Sequence, residues 1–169
     1  MNRQAVSTEH APAALGPYSQ AIVAGGFIFC SGMAGIDPES GFVPEGIEAQ
    51  TEQALQNLAA ILNAAGASMT DLVKTTIFYS DVADFATLNE VYARHMPDPP
   101  PARSAPANVR LPRGLLVSIE GHRRPPELTG PAPVGNGGNS HGRSCCLSVW
   151  YSHSSKRFLA QRRSITSRW

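Results

Sequence analysis

The chain has 169 residues, is 42% hydrophobic and 16% charged, and carries a formal net charge of +1; this suits one globular domain plus a further segment. No apolar run approaches the roughly 20 residues that span a bilayer, and the stretch up to Gly16 has no hydrophobic centre and contains Glu9, so neither a membrane helix nor a secretory leader is expected. The three cysteines, Cys30, Cys145 and Cys146, are an odd set with two adjacent, which argues against a disulfide framework and for a reducing, cytoplasmic setting.

The first turn signal is Gly16-Pro17, followed by an alternating stretch from Tyr18 to Ala24 that reads as a strand. Gly25-Gly26 reads as a hairpin turn, and Phe27 to Cys30 as a buried strand ending at Ser31-Gly32. Turn chemistry makes 37–41 a loop. Over 47–65 the apolar residues Ile47, Ala54, Leu55, Leu58, Ile61, Leu62 and Ala65 recur at steps of three and four, which predicts a helix with Gly66 as its stop.

Leu72 to Tyr79 is β-branched and aromatic, hence a strand. Asp81 or Asp84 can cap a second helix through Phe85, Leu88, Val91 and Tyr92, ended by the prolines of 97–101. Two last strands are expected around 103–109 and 115–120. The order β-β-(β)-α-β-α-β-β implies two helices on one face of a single mixed sheet. If the other face is apolar, a partner subunit is the obvious cover.

Residues 1–121 therefore read as the domain and 122–169 as a disordered basic tail without a period of 2 or 3.6. Up to Arg124 there are eight Arg/Lys against twelve Asp/Glu; from Pro125 on there are six against one. The mildly acidic domain argues against nucleic acid as a partner. A shifted reading frame or a cloning artefact accounts for the tail as well as a natural extension does.

Two residues stand where chemistry could occur. Arg103 follows a proline-rich loop at the start of a strand, where a planar guanidinium can grip a carboxylate with both arms; the ordinary alternative is a surface arginine in an ion pair. Glu120 lies among apolar strand residues and could orient or deprotonate water; it is merely outward-facing if Ile119 faces the core. Tyr18, Ser31 and Asn89 sit at element ends and suit either a small ligand or a cap. The five histidines are far apart, no CxxC occurs, and Cys30 reads as a buried inert thiol.

Six pieces of the chain resemble the Rid/YjgF family of enamine/imine deaminases: GPYSQA at 16–21, FCSG at 29–32, the helix at 49–68, DLVKTTIFYSDVADFATLNEVY at 71–92, PARSA at 101–105 and LPRGLLVSIEG at 111–121. They keep family order and cover nearly all of 1–121. The resemblance implies a chorismate-mutase-like α+β fold of the bacillus type, assembled as a homotrimer with active sites in the clefts between subunits. It also implies that Arg103 binds the substrate carboxylate and Glu120 the hydrolytic water. Tyr18, Ser31, Gly32 and Asn89 would line the pocket, Tyr18 from the neighbouring subunit.

The activity implied is hydrolysis of 2-aminoacrylate, 2-aminocrotonate and their imine tautomers (2-iminopropanoate, 2-iminobutanoate) to 2-keto acids and ammonia, with no metal or cofactor. The alternatives are a non-enzymatic trimer that binds small carboxylates or acts as a chaperone, and an RNA-cleaving member of the family. Three departures stand out. Ala105 replaces a cysteine found in many members, so a thiol mechanism is excluded, although its backbone N–H can still meet a carboxylate. Pro106 removes a strand N–H, so that strand must be an edge or have its open side there. After Glu120 the chain turns to Gly121-His122-Arg123-Arg124, so the last strand is expected to be cut short.

Overall fold

The computed structural model describes residues 3–123, and all but the first two residues of the tail read over 122–169 lie outside that range. Strand β1 (Arg3–Val6) pairs antiparallel with β2 (Ala21–Ala24), which turns into β3 (Phe27–Cys30). The turn residues Gly25 and Gly26 have φ of 56° and 79°; positive φ at both centres lets a two-residue turn follow the twist of its strands. The loop between β1 and β2 is fixed from within. Gln20 is buried, and its Nε2 donates to the carbonyls of Ala11 (3.1 Å) and Pro12 (2.8 Å).

A two-residue strand, β4 (Met33–Ala34), precedes helix α1 (Gly46–Ala64). The helix buries the predicted stripe, with Ala54, Leu55, Leu58, Ile61 and Leu62 at 0% exposure. It stops where expected: Gly66 has φ 74° and donates to Asn63 O at 3.0 Å, and Ala67 N donates to Leu62 O at 2.8 Å. Strand β5 (Leu72–Tyr79) leads to a 3₁₀ turn, Val82–Asp84, and then to helix α2 (Phe85–His95). Asp81 caps the 3₁₀ turn, accepting from Ala83 N at 2.9 Å, whereas Asp84, at the start of α2, makes no side-chain cap. Strands β6 (Ala102–Ser104) and β7 (Val117–Arg123) complete the fold.

The seven strands form one sheet ordered β1-β2-β3-β7-β5-β6, with β4 also paired to β7. Only β5 and β6 are parallel, so the sheet is mixed and the fold is α+β. Alternation sends Thr75, Ile77 and Tyr79 of β5 and Val117, Ile119 and Gly121 of β7 to the helical face, where all are buried. Leu55, Leu58 and Ile61 of α1 and Leu88 and Val91 of α2 complete that core. Truncating one such leucine to alanine typically costs about 2–5 kcal/mol. A Cβ at Gly121 would lie 2.9 Å from Leu72 Cδ2 and 3.1 Å from Leu58 Cδ1, so glycine there lets α1 lie close on β7.

The opposite face is open. Phe27 and Phe29 are 39% and 43% exposed on it, and Phe29 meets the His122 ring edge-on at 5.5 Å between centroids.

Strand β1 was not expected, and three of the expected strands differ in their bounds. The first of these pairs only over Ala21–Ala24; just before it, the Gln20 side chain bonds Thr8, Ala11 and Pro12. The strand expected over 103–109 is limited to Ala102–Ser104, at a sheet edge, as Pro106 allows. The last strand is not cut short at Gly121. His122 pairs with Phe29 and Lys74, and Arg123 with Ile28 and Leu72. The buried Arg123 guanidinium reaches Asp71 at 3.4 Å, so a charged residue completes the strand.

Candidate active site

Arg103 is the central residue of β6 and stands opposite Thr75 in the parallel ladder with β5. Its side chain therefore leaves the sheet on the helical side, where α2 ends. The guanidinium carbon lies 4.9 Å from the centre of the Tyr92 ring and 5.8 Å from that of Phe85. Tyr92 OH and Thr75 Oγ1 are 2.6 Å apart. Burial raises the Tyr92 pKa, against lowering by the Thr75 hydrogen bond and the Arg103 charge. Arg103 opens on a cleft of about 660 Å³ lined also by Asn89, Tyr92, Met96 and Pro97. Two of the predicted residues, Arg103 and Asn89, are thus brought together.

Of the other predicted residues, Tyr18, Gly32 and Glu120 gather on the far side of the sheet. Ile119 is fully buried against the helices, so Glu120, next to it in β7, projects from the open face. A Cβ on Gly32 would come within 4.0 Å of Glu120 Cγ and would collide with Ser118 Oγ; glycine leaves room beside the carboxylate. Tyr18, Gly32 and Ser118 line a cavity of about 130 Å³ together with Leu15 and Leu111. Tyr18 OH accepts from Leu15 N at 3.1 Å.

Ser31 has a structural engagement here. Its hydroxyl donates to Ser19 O at 2.7 Å and its N–H to Gln20 O at 3.0 Å, which ties the Tyr18 loop to the end of β3. The segment after it is fixed by Asn57 of α1, whose Nδ2 donates to Ala34 O and Ile36 O at 2.8 Å each. Ala105 lies past the end of β6, half-buried against the core.

The sequence reading passed over Thr75, Tyr92 and Ser118. Tyr92 belongs to the apolar stripe of α2 and reads as core; only the pairing of β5 with β6, a contact across 28 positions, places it under Arg103. Cys30 is buried, and burial pushes its thiol pKa up to about 12, so it is a poor nucleophile. Among the described residues no group of three or more His, Cys, Asp or Glu is placed to hold a metal ion. Nor is any helix among them long and apolar enough to cross a membrane.

The chain and its fold match known proteins closely. A family model described as Endoribonuclease L-PSP covers residues 8–122. Over 121 residues the chain is 52% identical to Reactive Intermediate Deaminase A, chloroplastic, of Arabidopsis thaliana, covering 71% of this chain and 65% of the plant protein. It thus spans slightly less than two thirds of that relative. Over 119 residues it is 47% identical to the 2-iminobutanoate/2-iminopropanoate deaminase of Mus musculus, covering 70% and 88% of the two chains. Among solved structures, RidA from an Antarctic Psychrobacter superposes with a TM-score of 0.70 at 44% identity, over 72% of this chain and 98% of that one. E. coli TdcF, solved with bound serine, gives a TM-score of 0.68 at 37% identity, over 72% and 98%. The chain belongs to the Rid/YjgF family.

Proposed function

We propose that this protein is a hydrolytic deaminase that converts 2-imino acids, and the enamines in equilibrium with them, to 2-keto acids and ammonia. The observation that carries the reading is Arg103. It is a guanidinium at a sheet edge, facing an open cleft, and among the described residues it forms no salt bridge. Such a group is available to a ligand carboxylate, which it can take with two parallel hydrogen bonds. The names of the relatives and the serine bound to TdcF support a small amino-acid-like ligand.

In this reading Arg103 holds the carboxylate, with Asn89 and the Ala105 N–H beside it. Water oriented by Glu120 adds to C2 of the imine. The carbinolamine so formed loses ammonia as its C–N bond breaks, and the hydroxyl gives up its proton to leave the ketone. A protonated imine is already electrophilic, so positioning and proton transfer are sufficient. Arg103 and Glu120 leave opposite faces of one sheet, so the site is completed by a second copy of the chain. In the homotrimer, Tyr18, Ser31, Gly32 and Glu120 of one copy face the Arg103 cleft of its neighbour. Tyr18 thereby enters with Glu120, since both flank Gly32.

The domain of this activity is the segment from the N-terminus to about 121, extended by the end of β7. The test is release of pyruvate and ammonia from freshly generated 2-aminoacrylate. Acceleration over the spontaneous rate supports the deaminase. Binding of 2-keto acids without acceleration would leave a trimer that only binds carboxylates.

A further inference from the structure

A bidentate grip needs the plane of the guanidinium to be set before the ligand arrives. Arg103 is badly placed to achieve this alone, being exposed on a three-residue edge strand. Its setting comes from below. The Tyr92 ring lies 4.9 Å under the guanidinium carbon, well within cation–π range. The ring is itself pinned, because its hydroxyl meets Thr75 Oγ1 at 2.6 Å in the core. Thr75 is also the residue opposite Arg103 in the β5–β6 ladder. One backbone position therefore fixes both the strand that carries the guanidinium and the ring beneath it.

The chemistry of the contact matters. A carboxylate in place of the ring would hold the arginine equally well but would occupy its hydrogen-bonding edge and neutralise its charge. Tyr92 presents a neutral π-face, since burial disfavours the phenolate. The five N–H donors lie in the guanidinium plane, and among the described residues none is taken by a salt bridge. We infer that Tyr92, anchored by Thr75, is the positioning residue for Arg103, fixing its guanidinium plane so that a ligand carboxylate meets both arms. This rests on the reading of Arg103 as the carboxylate's partner.

The experiment compares the full-length protein with Tyr92→Leu, Tyr92→Phe, Thr75→Val and Arg103→Ala. It measures binding of 2-oxobutanoate and of its methyl ester, and KM and kcat for the imino acid. Tyr92→Leu is expected to cut the preference for acid over ester about tenfold and to raise KM more than it lowers kcat. Tyr92→Phe keeps the ring but removes the same hydroxyl anchor, so it should lose preference by roughly threefold, less than Tyr92→Leu. Thr75→Val preserves the core shape, frees the ring to tilt, and should lose preference in the same direction by roughly threefold. A general packing defect would weaken acid and ester alike. Should Tyr92→Leu fail to fold, Thr75→Val decides.

Wild-type preference in the folded Tyr92 and Thr75 variants, with the preference abolished in Arg103→Ala, overturns the positioning role alone. An Arg103→Ala protein that still prefers the acid overturns the carboxylate reading, and Tyr92's role with it.

Discussion

Arg103 and Glu120 occupy neighbouring pleats on opposite faces of the sheet. Arg103 stands opposite Thr75 and Glu120 opposite Thr76, with β5 between them. Paired strands lie about 4.8 Å apart, and successive side chains point to opposite faces. No small acid can touch both groups of a single chain. The open face with Phe27 and Phe29 offers apolar area for a second copy to cover, which would bring the two half-sites together.

Arg103→Lys keeps the charge but loses the planar fork, so it should bind 2-keto acids more weakly than wild type while retaining some turnover. Arg103→Ala should lose more, since a charge-assisted hydrogen bond contributes about 1.5–3 kcal/mol, roughly ten- to a hundredfold in rate if felt in the transition state. Steady-state kinetics on variants of unchanged oligomeric mass check this. An Arg103→Ala protein as active as wild type would remove the residue on which the assignment stands.

Glu120→Gln keeps the shape of the side chain and removes the base. Binding of a stable 2-keto acid should be almost unchanged while turnover falls about a hundredfold or more. Isothermal titration alongside the kinetic assay separates the two. Loss of binding and turnover together would move Glu120 from the chemistry to the structure of the site.

These residues were unequally legible in the sequence. The α1 stripe, its Gly66 stop and the Leu72–Tyr79 strand follow from local periodicity and turn chemistry, and all three are present. Strand β1 was missed because four residues of mixed polarity carry no period; they are a strand through pairing with Ala21–Ala24. The extension of β7 to Arg123 was hidden by its charge, which Asp71 offsets only in three dimensions. Arg103 and Glu120 were visible as candidates. Their separation by the sheet was not, because it depends on the register of β5 with both neighbours.

Two carboxylates make stability sensitive to acid. Asp71 is held below the usual carboxylate range chiefly by the Ser68 hydroxyl, and Glu52 chiefly by its hydrogen bond with His95. Both folded values lie below the unfolded ones of about 4. The stability they supply is therefore present above that range and lost as pH falls through the folded values. Asp71→Asn should flatten part of this acid limb. At neutral pH it should also cost about 1–3 kcal/mol, because Arg123, 3% exposed, loses its carboxylate. Urea melts of wild type and variant at neutral and acid pH measure both effects; identical acid limbs would contradict this role for Asp71.

Gly35 governs how closely α1 approaches the segment that carries Ser31 and Gly32. A Cβ there would lie 2.6 Å from Gln50 Cα and 2.8 Å from its carbonyl carbon, both rigid helix backbone. Gly35→Ala should destabilise the protein by about 1–3 kcal/mol through overpacking and lower turnover by shifting Gly32. A thermal melt gives the first and the deaminase assay the second. An unchanged melting temperature would show that the helix yields more easily than this packing implies.

The most direct measurement mixes two impaired subunits. Arg103→Ala and Glu120→Gln chains, each assayed alone for its residual rate, are unfolded together in equal amounts and refolded. If Arg103 of one copy works with Glu120 of another, roughly a quarter of the sites in random oligomers regain both groups. The mixture should then turn over 2-aminoacrylate at about a quarter of the wild-type rate. A mixture that assembles yet turns over no faster than the average of its parents would contradict the account.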